Sequence, residues 1–205
     1  MKTVKRIVAV LLAVMLMAPA AVNAAAPSPA KTSIKGQKAT ATVTYNKKTQ
    51  LPTVITINGK KLVVGKDCFI VDKKGKKDAG TYTLTIEGMD GYCGRTKVTF
   101  KIKKAEQKIE TSTEKKTYKA SDVKKKGKAF KLNTKTYAKD VTYKVVGKGL
   151  TAKANKQARK YIKVSKKGRV TVKKGIKKGT YKVVIKTKAT KNRKAGREVI
   201  KIVIK

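Results

Sequence analysis

Residues 54–64 read Val-Ile-Thr-Ile-Asn-Gly-Lys-Lys-Leu-Val-Val, with an apolar-rich run on each side of the pair Asn58-Gly59. Asn and Gly both tolerate the positive φ that the two central residues of a tight hairpin turn require. The flanking runs are rich in β-branched residues, which are common in strands. This stretch therefore predicts a β-hairpin.

The alternation of apolar and polar residues continues along the chain outside this hairpin. In residues 41–45, 82–86 and 98–102, apolar side chains occupy every second position and Thr or Lys the positions between them. A period of two is typical of strands that bury one face. The first half is therefore predicted to form a β-sandwich over residues 36–104.

The second half of the chain repeats this pattern without repeating the sequence, and predicts another sandwich over residues 105–205. Its final stretch, residues 198–205, is apolar on both faces, which indicates a central strand covered on both sides. Helix is predicted only as a turn near residues 121–123. Further strands are predicted at residues 141–145, 161–164, 170–172 and 180–187.

The N-terminal segment has the composition of a cleavable signal peptide. Basic residues precede the uncharged, mostly apolar run 7–21, and Val22-Asn23-Ala24 offers small residues where a signal peptidase cleaves. A run of about 15 residues is shorter than the roughly 20 that a bilayer span needs. We expect a signal peptide at residues 1–24, no transmembrane segment after cleavage, and a flexible leader at residues 25–35.

The composition excludes several kinds of chemistry. The chain has 54 Lys and Arg against 11 Asp and Glu, a formal net charge of +43, and neither His nor Trp. A His base, a His-rich metal site and a four-cysteine zinc site are therefore excluded. The acids are scattered singly among lysines, which argues against paired catalytic carboxylates and against calcium. The sequence predicts a non-enzymatic protein with no metal and no cofactor.

Several motifs resemble the Ig-like repeat modules of Gram-positive surface and cell-wall proteins. They include Tyr-Asn-Lys-Lys-Thr-Gln-Leu-Pro at 45–52, Asp-Ala-Gly-Thr-Tyr at 78–82 and the glycines of 91–94. In the second half, Lys-Lys-Gly-Arg-Val-Thr-Val-Lys-Lys-Gly at 166–175 looks like the Lys-rich Ig-like or cadherin-like domains of the same proteins. The resemblance covers most of residues 36–205 and implies two tandem Ig-like β-sandwich domains. It implies a structural or adhesive role and supplies no catalytic residue.

Cys68 and Cys93 both fall in the first predicted domain. An even number of cysteines in an exported protein is expected to oxidise, and this pair would close a loop of about 26 residues. Two free thiols are the alternative, while a reactive nucleophile is disfavoured because no His is available to deprotonate it. The predicted disulfide is Cys68–Cys93.

The excess of positive charge predicts an anionic partner. Residues 25–104 contain 17 basic and 5 acidic residues, and residues 105–205 contain 34 and 6. Solubility alone would be served by a surface of mixed sign. Lys outnumbers Arg by 48 to 6, which favours diffuse and salt-sensitive attraction over bidentate recognition. The leading partner is an anionic cell-wall polymer or glycan of teichoic-acid type, followed by non-specific extracellular nucleic acid.

The predicted function is that of a secreted Ig-like protein, associated with the cell wall or cell surface, that binds anionic polymers electrostatically. The alternative is a secreted cationic effector that acts on anionic membranes or extracellular nucleic acid. Membrane action would need an amphipathic cationic helix, which the sequence does not predict outside the signal segment. The diffuse polyanion-binding region is predicted at Lys163, Lys166, Lys167, Arg169, Lys173, Lys174, Lys177, Lys178, Lys182 and Lys186.

Overall fold

The computed structural model describes residues 30–147 and 151–205, in which strands dominate the regular structure. The predicted signal peptide and residues 25–29 of the predicted leader lie outside the described residues. We refer to residues 31–104 as the N-terminal half and to residues 105–205 as the C-terminal half. Each half has its own cluster of buried apolar residues. The predicted all-β fold is confirmed.

The N-terminal half is built around a six-stranded sheet. Residues 31–104 as a whole contain eight strands, namely β1 (Thr32–Ser33), β2 (Ala39–Thr44), β3 (Val54–Ile57), β4 (Lys60–Val63), β5 (Cys68–Ile70), β6 (Gly80–Gly88), β7 (Tyr92–Cys93) and β8 (Arg95–Lys103). Of these, β1 and β7 pair with each other outside the six-stranded sheet. The sheet order is β4-β3-β2-β8-β6-β5, and a bridge between Val64 and Cys68 joins its two edges, so the sheet wraps around one core. Along β8 exposed and buried residues alternate, with Val98, Phe100 and Ile102 inside.

The predicted hairpin is formed by β3 and β4. Its turn residues Asn58 and Gly59 have φ angles of 47° and 83°, in the left-handed region that Asn and Gly enter at low cost. Ile55 and Leu62 face each other across the hairpin, and both are buried. The hairpin prediction is therefore confirmed.

The folded N-terminal half begins before the predicted boundary at residue 36. Strand β1 pairs in parallel with β7, and Ile34 is 1% exposed. Residues 32–34 thus belong to the fold, although the predicted flexible leader extended to residue 35. A strand of two residues is too short to show alternation, so the sequence pattern could not reveal it.

The C-terminal half places two larger sheets on either side of one core. Its elements are β9 (Ile109–Glu110), β10 (Lys115–Tyr118), α1 (Ala120–Lys125), β11 (Lys128–Lys131), β12 (Lys135–Thr136), β13 (Val141–Val146), α2 (Ala152–Tyr161), β14 (Ile162–Val164), β15 (Arg169–Val172), β16 (Gly179–Thr187) and β17 (Gly196–Ile204). The four-stranded sheet has the order β10-β17-β16-β13, the three-stranded sheet has the order β11-β15-β14, and β9 pairs with β12. Ile185 and Ile200 of the first sheet share the core with Val170 and Val172 of the second.

Helix α2 is an element that the sequence pattern did not predict. Thr151 caps its N-terminus, since the Thr151 hydroxyl accepts a hydrogen bond from the Ala154 N–H at 3.1 Å. Ala158 is fully buried against the core, and most of the other side chains of α2 are polar or charged. The short helical turn predicted near residues 121–123 is α1.

The last strand, β17, lies between β16 and β10, which confirms the prediction of a central strand. It is covered on one face only. Ile200, Ile202 and Ile204 are buried in the core, whereas Val199 and Val203 on the other face are half-buried. The prediction that β17 is covered on both faces is therefore wrong, because the outer face of the four-stranded sheet bears lysines instead of a second apolar layer.

The two halves meet at the loop that connects β16 and β17, residues 188–195. The Asn192 side chain accepts a hydrogen bond from the Ala79 N–H at 2.8 Å and donates one to the Asp78 carboxylate at 2.9 Å. Lys191 Nζ lies 2.6 Å from the same carboxylate. The hydrogen bond from Lys191, followed by that from Asn192, lowers the pKa of the Asp78 carboxyl.

The segment that connects the halves is bonded to the same loop. The Ala105 N–H donates to the Asn192 carbonyl at 3.0 Å, and the Ala105 carbonyl accepts from the Lys194 N–H at 2.9 Å. Lys104 Nζ also donates to the Thr190 carbonyl at 2.8 Å. Loop 188–195 therefore contacts both the N-terminal half and the connection between the halves.

Candidate polyanion-binding surface

The outer face of the four-stranded sheet carries a group of closely spaced cations. Directly paired residues of an antiparallel sheet point to the same side. The pairing of β13, β16 and β17 places Lys182 opposite Lys201 and Lys186 opposite Arg197, with Lys144 opposite Val184 between them. We refer to these five cations, Lys144, Lys182, Lys186, Arg197 and Lys201, as the cationic face.

Like charges that face each other across two strands repel. The Cβ atoms of a directly paired couple lie about 4.5–5.5 Å apart, and like charges at that spacing destabilise the sheet. No Asp or Glu is among the described residues that line the cavity on this face. An anion placed between the paired cations would replace repulsion by attraction. The arrangement therefore favours a negatively charged ligand.

The cationic face surrounds an apolar floor. Val146, Val184 and Val199 line the same shallow cavity of about 500 Å³, and Val184 is buried although it lies on the outer side of the sheet. Asn155 of α2 also lines the cavity, and its side-chain carbonyl accepts a hydrogen bond from the Gly147 N–H at 2.9 Å. A floor of methyl groups between cations suits a ligand in which anionic groups alternate with carbon chains or sugar rings.

Strand β10 extends this arrangement toward the edge of the sheet. It pairs in parallel with β17, and Lys115 lies opposite Lys201. Lys115, Lys201 and Lys182 therefore lie side by side on three neighbouring strands. Because strands are spaced by about 4.8 Å, these cations span roughly 10 Å across the sheet.

The structure separates the ten residues of the predicted polyanion-binding region. Only Lys182 and Lys186 belong to the cationic face. Lys163 and Arg169 lie on the three-stranded sheet. The other six lie in the turns between strands: Lys166, Lys167, Lys173, Lys174, Lys177 and Lys178.

Three members of the cationic face, namely Lys144, Arg197 and Lys201, are absent from the predicted polyanion-binding region. Lys144 and Lys201 both lie in predicted strands, but the sequence did not show which strands are neighbours. Lys186 and Arg197 become partners only because β16 and β17 pair with Thr187 opposite Gly196. An eight-residue loop between the two strands gave no fixed register for that pairing.

The two cysteines approach each other at Gly88. Cys68 is paired with Gly88 across β5 and β6, and a Cβ on Gly88 would lie 2.8 Å from the Cys93 backbone nitrogen. Both cysteines are free thiols in the structure, and burial, with a smaller effect of Asp67, raises the pKa of the Cys68 thiol. The predicted disulfide is not formed in this structure, and the pairing stays a prediction.

Several acids serve as partners of exposed lysines and arginines. The described ion pairs are Asp78–Lys191, Glu87–Arg95, Glu106–Lys194 and Glu110–Lys108. Within residues 30–147 and 151–205 there is no group of three or more His, Cys, Asp or Glu side chains that could hold a metal ion. In the same part of the chain, no helix combines the length and the apolar character needed to cross a membrane.

No family model and no curated protein matches the chain. It is similar to the solved structure of Drosophila N-cadherin EC1-3, with 13% identity, a TM-score of 0.37, and coverage of 81% of this chain and 64% of that chain. For Drosophila OTK extracellular domains 3-5 the identity is 11%, the TM-score 0.38, and the coverage 82% and 60%. For a SusE-like surface located polysaccharide binding protein from the Bacteroides thetaiotaomicron heparin utilisation locus, the identity is 11% and the TM-score 0.30, with coverage of 82% of this chain and 33% of that chain.

The chain spans less than two thirds of the length of each of these three structures. Their identities and TM-scores are too low to transfer a function to this chain. The assignment of the all-β fold rests on the strands and sheets described above. The resemblance to Gram-positive wall modules stays a prediction.

Proposed function

We propose that this protein is a non-enzymatic, exported surface protein of the Ig-like type that binds anionic polymers through the cationic face. One observation supports this proposal above all others: Lys182 faces Lys201 and Lys186 faces Arg197 around a cavity that no described Asp or Glu lines. Such pairs destabilise the unliganded sheet, and a bound polyanion removes that repulsion. The remaining lysines add long-range attraction that salt weakens.

The proposed ligand is a flexible polymer of teichoic-acid type, in which phosphodiesters alternate with polyol or sugar units. Four of the five residues of the cationic face are Lys, which acts as a point charge without a fixed bonding geometry. The valine floor can contact the carbon units between successive phosphates. Location at the cell wall or cell surface is part of the proposal, because it depends on the predicted signal peptide and on this ligand.

The first test is a salt series with the mature chain, residues 25–205. Poly(glycerol phosphate), single-stranded DNA and neutral dextran are titrated at 50 to 500 mM NaCl, and the dissociation constants are measured by calorimetry. We expect binding to both polyanions, none to dextran, and a slope of log Kd against log salt of about 0.7 for each charge neutralised. Absence of binding to either polyanion at 50 mM NaCl would contradict the proposal, as would leakage of anionic vesicles without polymer binding.

The second test asks whether the cationic face is the site. One variant carries Lys182→Gln, Lys186→Gln, Arg197→Gln and Lys201→Gln. A matched control carries Lys163→Gln, Lys166→Gln, Lys173→Gln and Lys177→Gln, four exposed positions elsewhere in the same half. Both variants lose four positive charges, but only the first should lower the salt slope, by about 3. An equal decrease of the salt slope in the two variants would show that net charge alone drives binding.

A further inference from the structure

Tyr137 is an exposed aromatic residue at the junction of the two halves. It follows β12 and is 57% exposed, whereas the other seven tyrosines pack against one of the two cores. Its phenol oxygen lies 3.0 Å from Lys47 Nζ, which belongs to the N-terminal half. That contact lowers the pKa of the Tyr137 phenol, and Arg193 lowers it further. Packing of neither core requires this ring.

Two cations are held against the Tyr137 ring. Lys47 Nζ lies 4.1 Å and Arg193 Cζ 4.0 Å from its centroid, and Arg193 also lies 5.9 Å from the centroid of Tyr45. Stacking on an aromatic ring fixes the plane of a guanidinium group. Within the described part of the chain, the guanidinium makes one hydrogen bond, from Nη1 to the Glu106 carbonyl at 2.8 Å. The other N–H donors of Arg193 remain available to a ligand.

These side chains line a cleft of about 380 Å³, which we call the junction cleft and define by Tyr45, Lys47, Lys77, Tyr137, Lys191 and Arg193. Four of these six residues are cations. Asp78 pairs with one of them, Lys191, at 2.6 Å. The junction cleft therefore carries a net positive charge and combines it with two aromatic rings.

The backbone of Lys47 is in an unfavourable conformation. Its φ is 73°, in the left-handed region that residues with a Cβ rarely adopt. The Asn46 side chain stabilises this turn by accepting a hydrogen bond from the Lys48 N–H at 2.9 Å. Backbone strain of this kind is common at ligand-binding sites, where the geometry of a side chain has priority. Here it accompanies the contact between Lys47 and Tyr137.

One hairpin connects the junction cleft with the cationic face. Lys186 and Arg197 form the last pair of cations on β16 and β17, and Thr187 and Gly196 form the next pair. The loop that follows, residues 188–195, supplies Lys191 and Arg193 to the junction cleft. A flexible polymer that lies on the cationic face and follows this hairpin therefore reaches the cleft.

We propose that the junction cleft is a second, shaped anion site that binds one phosphate or phosphodiester group together with its attached polyol or sugar carbons. Arg193 and Lys47 would contact the phosphate oxygens, because a fixed guanidinium plane matches phosphate geometry and Lys supplies a flexible point charge. The exposed edge of Tyr137 would contact the carbon units. The link to a polymer rests on the proposed function, whereas binding of a short phosphate ligand does not.

The test uses ligands too short to bridge the cleft and the cationic face. Inorganic phosphate, glycerol 3-phosphate, a dimer of glycerol phosphate and galacturonate are titrated into the mature chain at 50 mM NaCl. Binding is followed by tyrosine fluorescence, which no Trp obscures, and by calorimetry. We expect the dimer to bind more tightly than inorganic phosphate, and galacturonate to bind least.

Substitutions that preserve net charge locate the binding. Arg193→Lys should weaken dimer binding at least fivefold, while the matched substitution Arg95→Lys, which lies outside both the junction cleft and the cationic face, should change it less than twofold. Tyr137→Phe, which removes the hydrogen bond from Lys47 and keeps the ring, should weaken dimer binding two- to threefold. Lys47→Gln, which unlike the other substitutions removes a positive charge, gives an additional check. Circular dichroism verifies the fold of each variant.

The outcomes separate this inference from the proposed function. Equal dimer affinity in the native protein and the Arg193→Lys variant would overturn the junction cleft as an anion site. Failure of the dimer to bind, with long polymers still bound through the cationic face, would overturn it as well and leave the proposed function intact. Loss of dimer binding in Arg193→Lys, with long-polymer binding insensitive to the cationic face, would support the cleft and contradict the proposed function.

Discussion

The outward lysines of β8 in the N-terminal half are opposite threonines, whereas four of the five residues of the cationic face are paired with another cation. On β8, Lys97 is paired with Thr85, and Lys101 is paired with Thr81 on one side and Thr42 on the other. A lysine stem can cover a threonine methyl group while its ammonium group stays in water. Solubility therefore explains the lysines of β8.

The same explanation does not account for the C-terminal half. Each like-charged pair, such as Lys182 with Lys201, destabilises the sheet by a few tenths of a kcal/mol to about 1 kcal/mol. Threonines opposite the lysines would have kept the protein soluble without that loss, as β8 shows. Under the proposed function, the difference teaches that the position of lysines across strands, more than their number, distinguishes a binding surface from a solubilising one.

The largest expected effect tests whether the two halves are independent enough to be compared. Phe100 and Ile200 are fully buried in the N-terminal and C-terminal cores, respectively. Replacement of either by Ala should cost about 3–5 kcal/mol of unfolding free energy in its own half. Calorimetric scans should show two transitions, with only one lowered in each variant. Polymer binding at 50 mM NaCl should survive Phe100→Ala and be weakened by Ile200→Ala; a single transition lowered by both would contradict this independence.

The next effect concerns a feature of the N-terminal half alone, its two cysteines. Oxidation would close a loop of about 26 residues and stabilise that half by roughly 3.5 kcal/mol. We expect the exported protein to have an intact mass about 2 Da below that of the reduced form, because forming a disulfide removes two hydrogens. The midpoint temperature of the thermal transition of the N-terminal half should fall when reductant is added. A Cys93→Ser variant serves as control, since reductant should leave its transitions unchanged; two alkylatable thiols in the native exported protein would contradict the pairing.

The smallest effect comes from reversing one charge in each half. Lys201→Glu places an acid opposite Lys182, so repulsion becomes attraction and the unfolding free energy should rise by about 0.5–1 kcal/mol while polymer affinity falls. Lys97→Glu places an acid opposite Thr85 and should change stability by less than about 0.5 kcal/mol. Chemical denaturation measures the unfolding free energy, and calorimetric titration measures the polymer affinity. A loss of stability in Lys201→Glu would show that the like-charged pairs carry no repulsion.

Much of the fold could be predicted from the sequence because its signals are local. The Asn58-Gly59 turn and the alternation along β8 are each contained within a few residues. Helix α2 was missed because its lysines and alanines resemble a polar loop, and its buried contact is provided largely by Ala158. The pairing of β1 with β7 was missed because it joins residues about sixty positions apart.

The candidate site was less predictable than the fold. The sequence placed the polyanion-binding region in the Lys-rich second half and included Lys182 and Lys186. It could not supply their partners Lys201 and Arg197, because which strands pair, and in which register, depends on the whole core. Tyr137 was not part of the predicted site, because its exposure and its contact with Lys47 depend on how the two halves pack.

Strands β16 and β17 are joined by nine consecutive residue pairs, and their connecting loop is bonded to the N-terminal half. A polymer bound to the proposed cationic face and pulled along the axis of this hairpin would load both strands together, because each strand carries cations of that face. Under the proposed function, tension on the ligand would pass through this hairpin and its loop into the N-terminal half, so the hairpin would have a mechanical role as well.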